Sequence, residues 1–236
     1  MATDQQARIR AHRFDDQAAL TQALTARLEQ VVSGGQGPRA LMLSGGQTPL
    51  PAYRALAARR PPVGEGLVIL YSDDRYVPAD SPGSNFYQTR ALVEALALPE
   101  ERLLRVRTEL PLGQAATDYD ARLGELAQRR VPIVLGLLGL GADGHTASLF
   151  NAQDLARAQG QRAIAVHRPD GRDAVSVTPA VLGAARELVF VIVGAEKRPA
   201  LAAFLSDSPL STARQAVRGA TSIEVWCDRE AWPREA

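Results

Sequence analysis

The chain predicts an α/β fold, a parallel sheet with helices on both faces. Short β-rich runs alternate with longer amphipathic stretches from one end to the other. The most apolar runs, residues 67–71, 131–140 and 188–193, show no inside–outside alternation, which suits strands covered on both faces. Several runs end in glycine-bearing turns, the usual passage from a strand to the helix packed over it.

The elements follow in order. Residues 17–32 predict a helix, because Leu20, Leu24, Leu28 and Val31 or Val32 recur on one face; Ser33-Gly34-Gly35-Gln36-Gly37-Pro38 ends it. A short buried strand over 39–43 runs into Ser44-Gly45-Gly46-Gln47-Thr48-Pro49, and a helix follows over 50–59. Strand, glycine turn and helix in that order present free backbone N–H groups to an anion. The turn is neither a P-loop nor a dinucleotide fingerprint. Strand 67–71 ends in Ser72-Asp73-Asp74-Arg75-Tyr76-Val77-Pro78. There Asp73 can face a ligand crevice and Arg75 can reach a phosphate; the plainer reading is a polar loop with a local ion pair. Ser84 is placed to N-cap a helix through about residue 96, and 114–130 is an amphipathic helix burying Tyr119, Leu123 and Leu126.

The strand at 131–140 breaks into Gly139-Leu140-Gly141-Ala142-Asp143-Gly144-His145-Thr146-Ala147-Ser148-Leu149-Phe150. Asp-Gly is an ordinary turn dipeptide. An acid and an imidazole two residues apart at the carboxyl end of a parallel strand nevertheless suggest acid/base chemistry on a small molecule. Two short β-rich pieces, 162–166 and 174–177, surround the turn Arg168-Pro169-Asp170-Gly171. Thr178-Pro179 opens a helix to about 186. Strand 188–193 closes with Gly194-Ala195-Glu196-Lys197, and a helix through 205 follows. Residues 223–227 are a last strand and 232–236 a polar tail. Without a linker, repeat or break in composition, one domain over residues 1–236 is predicted.

Composition narrows the function. A hydrophobic content of 46% in 236 residues supports a sizeable core, and a net charge of +1 gives no support for a nucleic-acid or acidic-membrane partner. Cys227 is the single cysteine, which excludes an intramolecular disulfide and fits a reducing compartment. No secretory signal is visible in the polar first ten residues, and no apolar run is long enough to span a bilayer. A cytoplasmic location is expected. Of 27 Lys plus Arg residues only Lys197 is a lysine. It falls near the first turn of a helix, where the dipole disfavours a cation unless an anion sits nearby.

Four separated segments, spanning about residues 41–228, together resemble the 6-phosphogluconolactonase family. They are Ser44-Gly45-Gly46-Gln47-Thr48-Pro49, Asp73-Asp74-Arg75-Tyr76-Val77-Pro78 with Ser84-Asn85, the stretch from Gly139 to Phe150, and Gly194-Ala195-Glu196-Lys197. Asp-Gly-His-Thr-Ala-Ser-Leu-Phe is the most specific. The resemblance implies a Rossmann-like three-layer α/β/α fold with a mostly parallel sheet, shared with glucosamine-6-phosphate deaminases and ribose-5-phosphate isomerases. It implies hydrolysis of 6-phospho-D-glucono-1,5-lactone to 6-phosphogluconate in the pentose phosphate pathway, without a metal or organic cofactor. Four positions depart from the family pattern. Gln47 stands for a usual Ser, Asp74 for Glu, Asn151 for Pro, and Ala174 for an Arg whose charge is left to Arg172 or Arg168.

The chemistry of lactone hydrolysis then assigns roles. His145 is the general base on water, Asp143 orients it, and Asp73 binds sugar hydroxyls or holds the water. Gly45 and Gly46 N–H groups, Thr48, Arg75, Lys197 and Arg172 are expected at the substrate phosphate. Ser148 lacks the Gly-x-Ser-x-Gly elbow of a nucleophile, and no metal-ligand spacing is present. The expected partner is the small sugar-phosphate lactone alone; the oligomeric state is open, with a monomer favoured. Two rivals differ in class. An amino-sugar-phosphate deaminase/isomerase looks similar around Asp-Gly-His but carries a glutamate five residues after the His, where this chain has Phe150. A non-catalytic sugar-phosphate sensor needs a DNA-reading module, and no helix-turn-helix fits before Arg39.

Overall fold

The computed structural model describes residues 9–233. The expected tail falls partly outside them, at 234–236, as does the expectation for residues 1–8. Among the described residues, ten strands and eight α-helices follow one another as β1 (Ile9–Phe14), α1 (Gln17–Ser33), β2 (Arg39–Leu43), α2 (Leu50–Arg59), β3 (Leu67–Tyr71), β4 (Asp73–Arg75), α3 (Asn85–Leu96), β5 (Leu103–Leu104), α4 (Leu112–Gln128), β6 (Ile133–Leu138), α5 (Ala152–Arg157), β7 (Ala163–His167), β8 (Asp173–Val177), α6 (Pro179–Ala184), β9 (Leu188–Ile192), α7 (Arg198–Leu205), α8 (Thr212–Ala216) and β10 (Ile223–Asp228).

Seven strands form one parallel sheet in the order β1-β10-β9-β6-β2-β3-β5. Its central strands alternate into two cores, one on each face. Leu41 and Leu43 of β2 join Leu20, Leu24, Tyr53, Leu56 and Leu92 from α1, α2 and α3. Ala40 and Met42 join Tyr119, Leu123, Leu201 and Phe204 from α4 and α7 on the other face. Both sides of β2 are thus dry, which is why its residues read as one apolar run.

Two corrections to the single-sheet expectation stand out. The stretch Asp73–Arg75, read as loop, is strand β4, and it pairs antiparallel with β8, which pairs antiparallel with β7. This small second sheet covers part of the α4 face. The edge strand β1, and the short elements β5, α5 and α8, carried too little apolar periodicity to be expected; β1 is exposed at its four middle residues.

Chain reversals are held by specific polar contacts. Arg39 opens β2 and donates to the carbonyls of Val31, Val32, Gly35, Gly37 and Glu65, so its buried guanidinium ties the last turn of α1 to the turns that precede β2 and β3. At the other end of the sheet β5 stops opposite Leu70, leaving Tyr71 without a strand partner on that side. The Tyr119 hydroxyl from α4 fills the gap, accepting from Tyr71 N at 3.0 Å and donating to Tyr71 O at 2.6 Å. Among the described residues no helix is long and apolar enough to cross a membrane.

Tyr119→Phe leaves that buried N–H and carbonyl unpaired while keeping the ring. It is expected to lower unfolding free energy by about 1–3 kcal/mol, read as a drop in the urea midpoint at unchanged slope. An unchanged midpoint would show the two groups find other partners.

Candidate active site

Strand order reverses between β2 and β6: the chain adds β3 and β5 on one side, then β6, β9 and β10 on the other. Such a switch point opens a crevice at the carboxyl ends of the strands. Here the loops after β9, β6, β2 and β3 line a cleft of about 390 Å³.

After β2, the backbone of Gly45 lies against the Asn85 side chain; a Cβ there would sit 1.9 Å from Asn85 Oδ1, so only glycine fits. Gly46 follows at φ +95°, a left-handed conformation that favours glycine, with open space where a Cβ would point. Its N–H donates to Gln88 Oε1 at 3.0 Å. Gln47, Thr48 and Pro49 complete this wall, and Pro49, at the N-cap position of α2, supplies no side-chain cap.

After β3 come two buried carboxylates. Asp73 lines the cleft and accepts from Ser72 Oγ (2.9 Å), Asn85 Nδ2 (3.3 Å) and, through its other oxygen, Ser148 Oγ (2.7 Å). Asp74 turns the other way and caps α3, accepting from Asn85 N (2.6 Å), Ser84 Oγ (3.0 Å) and Phe86 N (3.2 Å). Burial pushes the Asp74 carboxyl up to about 6, against these hydrogen bonds and with a further push from Asp73.

After β6, His145 reaches the cleft with its Nδ1 hydrogen-bonded to Asp143 Oδ1, which also accepts from His145 N at 3.2 Å. With Asp143 accepting, Nδ1 carries the proton and Nε2 keeps a lone pair. Asp143 stands behind the imidazole, outside the cleft lining. Its burial opposes ionisation, but the hydrogen bonds from His145, and the charge of that ring once protonated, hold its carboxyl below the usual range. Gly141 makes room for the pair, since a Cβ there would sit 2.1 Å from His145 Nδ1 and 2.4 Å from Asp143 Oδ1. The Phe150 ring packs 4.3 Å from the imidazole. Asn151, the departure next to it, is the N-cap of α5 and accepts from Asp154 N.

Three cations reach this cleft. Lys197 ends the 3-10 turn after β9, N-caps α7 and makes no ion pair among the described residues. Arg75 donates to Gly83 O at 3.0 Å, and its buried Nε has no partner. Arg168 is 12% exposed, donates to Ser148 Oγ at 3.2 Å and lies 5.1 Å from the Phe150 ring. Arg172, expected at the phosphate, is not brought here: its side chain is 59% exposed, pairs with Asp170 and does not line the cleft. Arg172 and then Arg168 hold Asp170 well below the usual carboxylate range. Ala174 is wholly buried opposite Arg75 in the small sheet.

The structure therefore gathers His145, Asp73, Gly45, Gly46, Thr48, Arg75 and Lys197 in one cleft, with Asp143 behind His145. Sequence reasoning did not find the part played by Ser72, Ser148 and Gln88. Their contacts span 1, 75 and 42 residues and follow no motif.

A family model described as "Glucosamine-6-phosphate isomerases/6-phosphogluconolactonase" matches residues 15–223. The chain belongs to this family. A 6-phosphogluconolactonase of Nostoc sp. is 36% identical over 183 residues, 73% of this chain and 74% of that one. Among solved structures, a 6-phosphogluconolactonase of Thermotoga maritima superposes with a TM-score of 0.78 at 26% identity, covering 94% of this chain and 99% of its own. A monomeric glucosamine-6-phosphate deaminase, at 16% identity and a TM-score of 0.77 over 94% of this chain and 98% of its own, shares the fold.

Asp74 is expected to titrate near 6, above its unfolded value of about 3.9. Between those values the folded state holds a proton that the unfolded chain has released. Its contribution to stability therefore falls as pH rises from about 4 to about 6 and is level above that. A carboxyl-carbon NMR titration reads this directly; a midpoint below about 4.5 would contradict the effect of burial.

Proposed function

We propose that this chain is a single-domain cytoplasmic enzyme that hydrolyses 6-phospho-D-glucono-1,5-lactone to 6-phosphogluconate, in the oxidative pentose phosphate pathway. Membership of the family supports the reaction class, and one observation carries the reading of the site. A histidine held through Nδ1 by Asp143 faces the same cleft as Lys197, Arg75 and Arg168. A base with a free Nε2 and a cluster of cations are what an uncharged ester ring bearing a phosphate requires.

In this reading Nε2 of His145 takes a proton from water as the water oxygen bonds to the lactone carbonyl carbon. Asp143 keeps the tautomer and stabilises the imidazolium that forms. The tetrahedral intermediate collapses with cleavage of the bond to the ring oxygen, and His145 returns the proton there, leaving the open-chain carboxylic acid. Asp73, already held by Ser72, Asn85 and Ser148, accepts from a sugar hydroxyl or the water. Backbone N–H groups of the glycine turns stabilise the oxyanion. The phosphate lies between Gly45, Gly46, Thr48, Arg75 and Lys197, with Arg168 in place of the arginine absent at Ala174. Hydrolysis of an ester by water transfers no electrons and no group to a carrier, so a cofactor is not called upon. The deaminase reading loses its second acid at Phe150, whose ring packs on His145.

A coupled assay that follows 6-phosphogluconate formation against spontaneous lactone opening tests the activity. No acceleration by the purified chain would end the proposal. His145→Ala is expected to lower kcat by roughly 10²–10⁴-fold with little change in substrate affinity.

Lys197→Ala should instead weaken 6-phosphogluconate binding by about 1.5–3 kcal/mol, and Lys197→Arg should not restore it fully, because a planar guanidinium does not replace a compact ammonium. Arg168→Ala should weaken binding in the same calorimetric titration while Arg172→Ala leaves it unchanged. The opposite order would place the wrong arginine at the phosphate.

A further inference from the structure

The glycine turn holds a contact that its proposed role does not explain. The Gly46 N–H, at φ +95° beside open space, is already taken by Gln88 Oε1 at 3.0 Å. The carboxamide is oriented by its other end, where Nε2 donates to Pro82 O at 3.1 Å. Gln88 lies one turn beyond Asn85 on α3, so two side chains of that helix address the adjacent glycines: Asn85 presses on Gly45 and Gln88 engages Gly46.

We propose that Gln88 is a built-in competitor of the substrate phosphate for the Gly46 N–H, and that it sets how tightly the phosphorylated end is held. This rests on reading the glycine turn as the phosphate cradle. A carboxamide oxygen is a neutral acceptor, whereas a phosphate oxygen makes a charge-assisted bond about twice as strong to the same donor. The phosphate therefore displaces Gln88, whose side chain is part-exposed and keeps its Pro82 contact or swings to solvent. The Gly46–Gln88 bond must break when phosphate arrives, and its worth is subtracted from affinity. Until then it keeps the amide of an open turn satisfied.

Gln88→Met keeps the length and helix propensity of the side chain and removes the acceptor. It is expected to tighten 6-phosphogluconate binding by roughly 2- to 10-fold, the worth of one neutral hydrogen bond. KM for the phosphorylated lactone should fall, and turnover of unphosphorylated glucono-1,5-lactone should stay the same. Gln88→Glu places a carboxylate at the same N–H and should weaken phosphate binding by at least about 10-fold, because like charges then compete for one donor. Unchanged or weaker binding by Gln88→Met overturns the proposal. So does an equal change with both lactones, the signature of a prop that merely shapes the turn. The Lys197→Ala titration separates the two levels of failure. Loss of affinity there with no effect of Gln88→Met refutes only the competitor; unchanged affinity in both variants refutes the phosphate reading itself.

Discussion

The carboxylates of Asp73 and Asp74, adjacent on β4 and buried on opposite sides of it, tie the walls of the cleft together. A buried charge demands hydrogen-bond donors, and each of these finds three. Asp74 draws its donors from the start of α3, so it fixes where that helix begins. Asp73 draws its donors from Ser72, from the Asn85 side chain, and from Ser148 in the loop after β6. Three segments far apart in the chain are thereby set against one another. Asn85, held from both sides, in turn leaves no room for a side chain at residue 45.

The parallel sheet was legible because its central strands are dry on both faces, and runs such as residues 39–43 and 67–71 matched β2 and β3 at both ends. β1 was not, since only its outermost residues are half-buried and its middle carries Arg10, His12 and Arg13. β4 was hidden for another reason. Its residues are Asp, Asp and Arg, a composition that signals loop unless polar partners are already known. The site followed the same rule. Residues delivered by glycine turns at strand ends were found, because the backbone there is specialised. The choice between Arg168 and Arg172 was not readable, as both flank one turn with the same charge; contacts with Ser148 and Phe150 turn the first into the cleft. The Gln88 contact left no trace in local pattern at all.

Phe150 lies 4.3 Å from the imidazole of His145 and 5.1 Å from the guanidinium of Arg168, and its N–H is held by the buried Asp154. One ring therefore packs against both the imidazole and the guanidinium. Exchanging the ring for a small or charged side chain would take the packing surface from both groups in a single step. The positions of the imidazole and the guanidinium are thus coupled through a side chain that itself carries no charge and no hydrogen-bonding group.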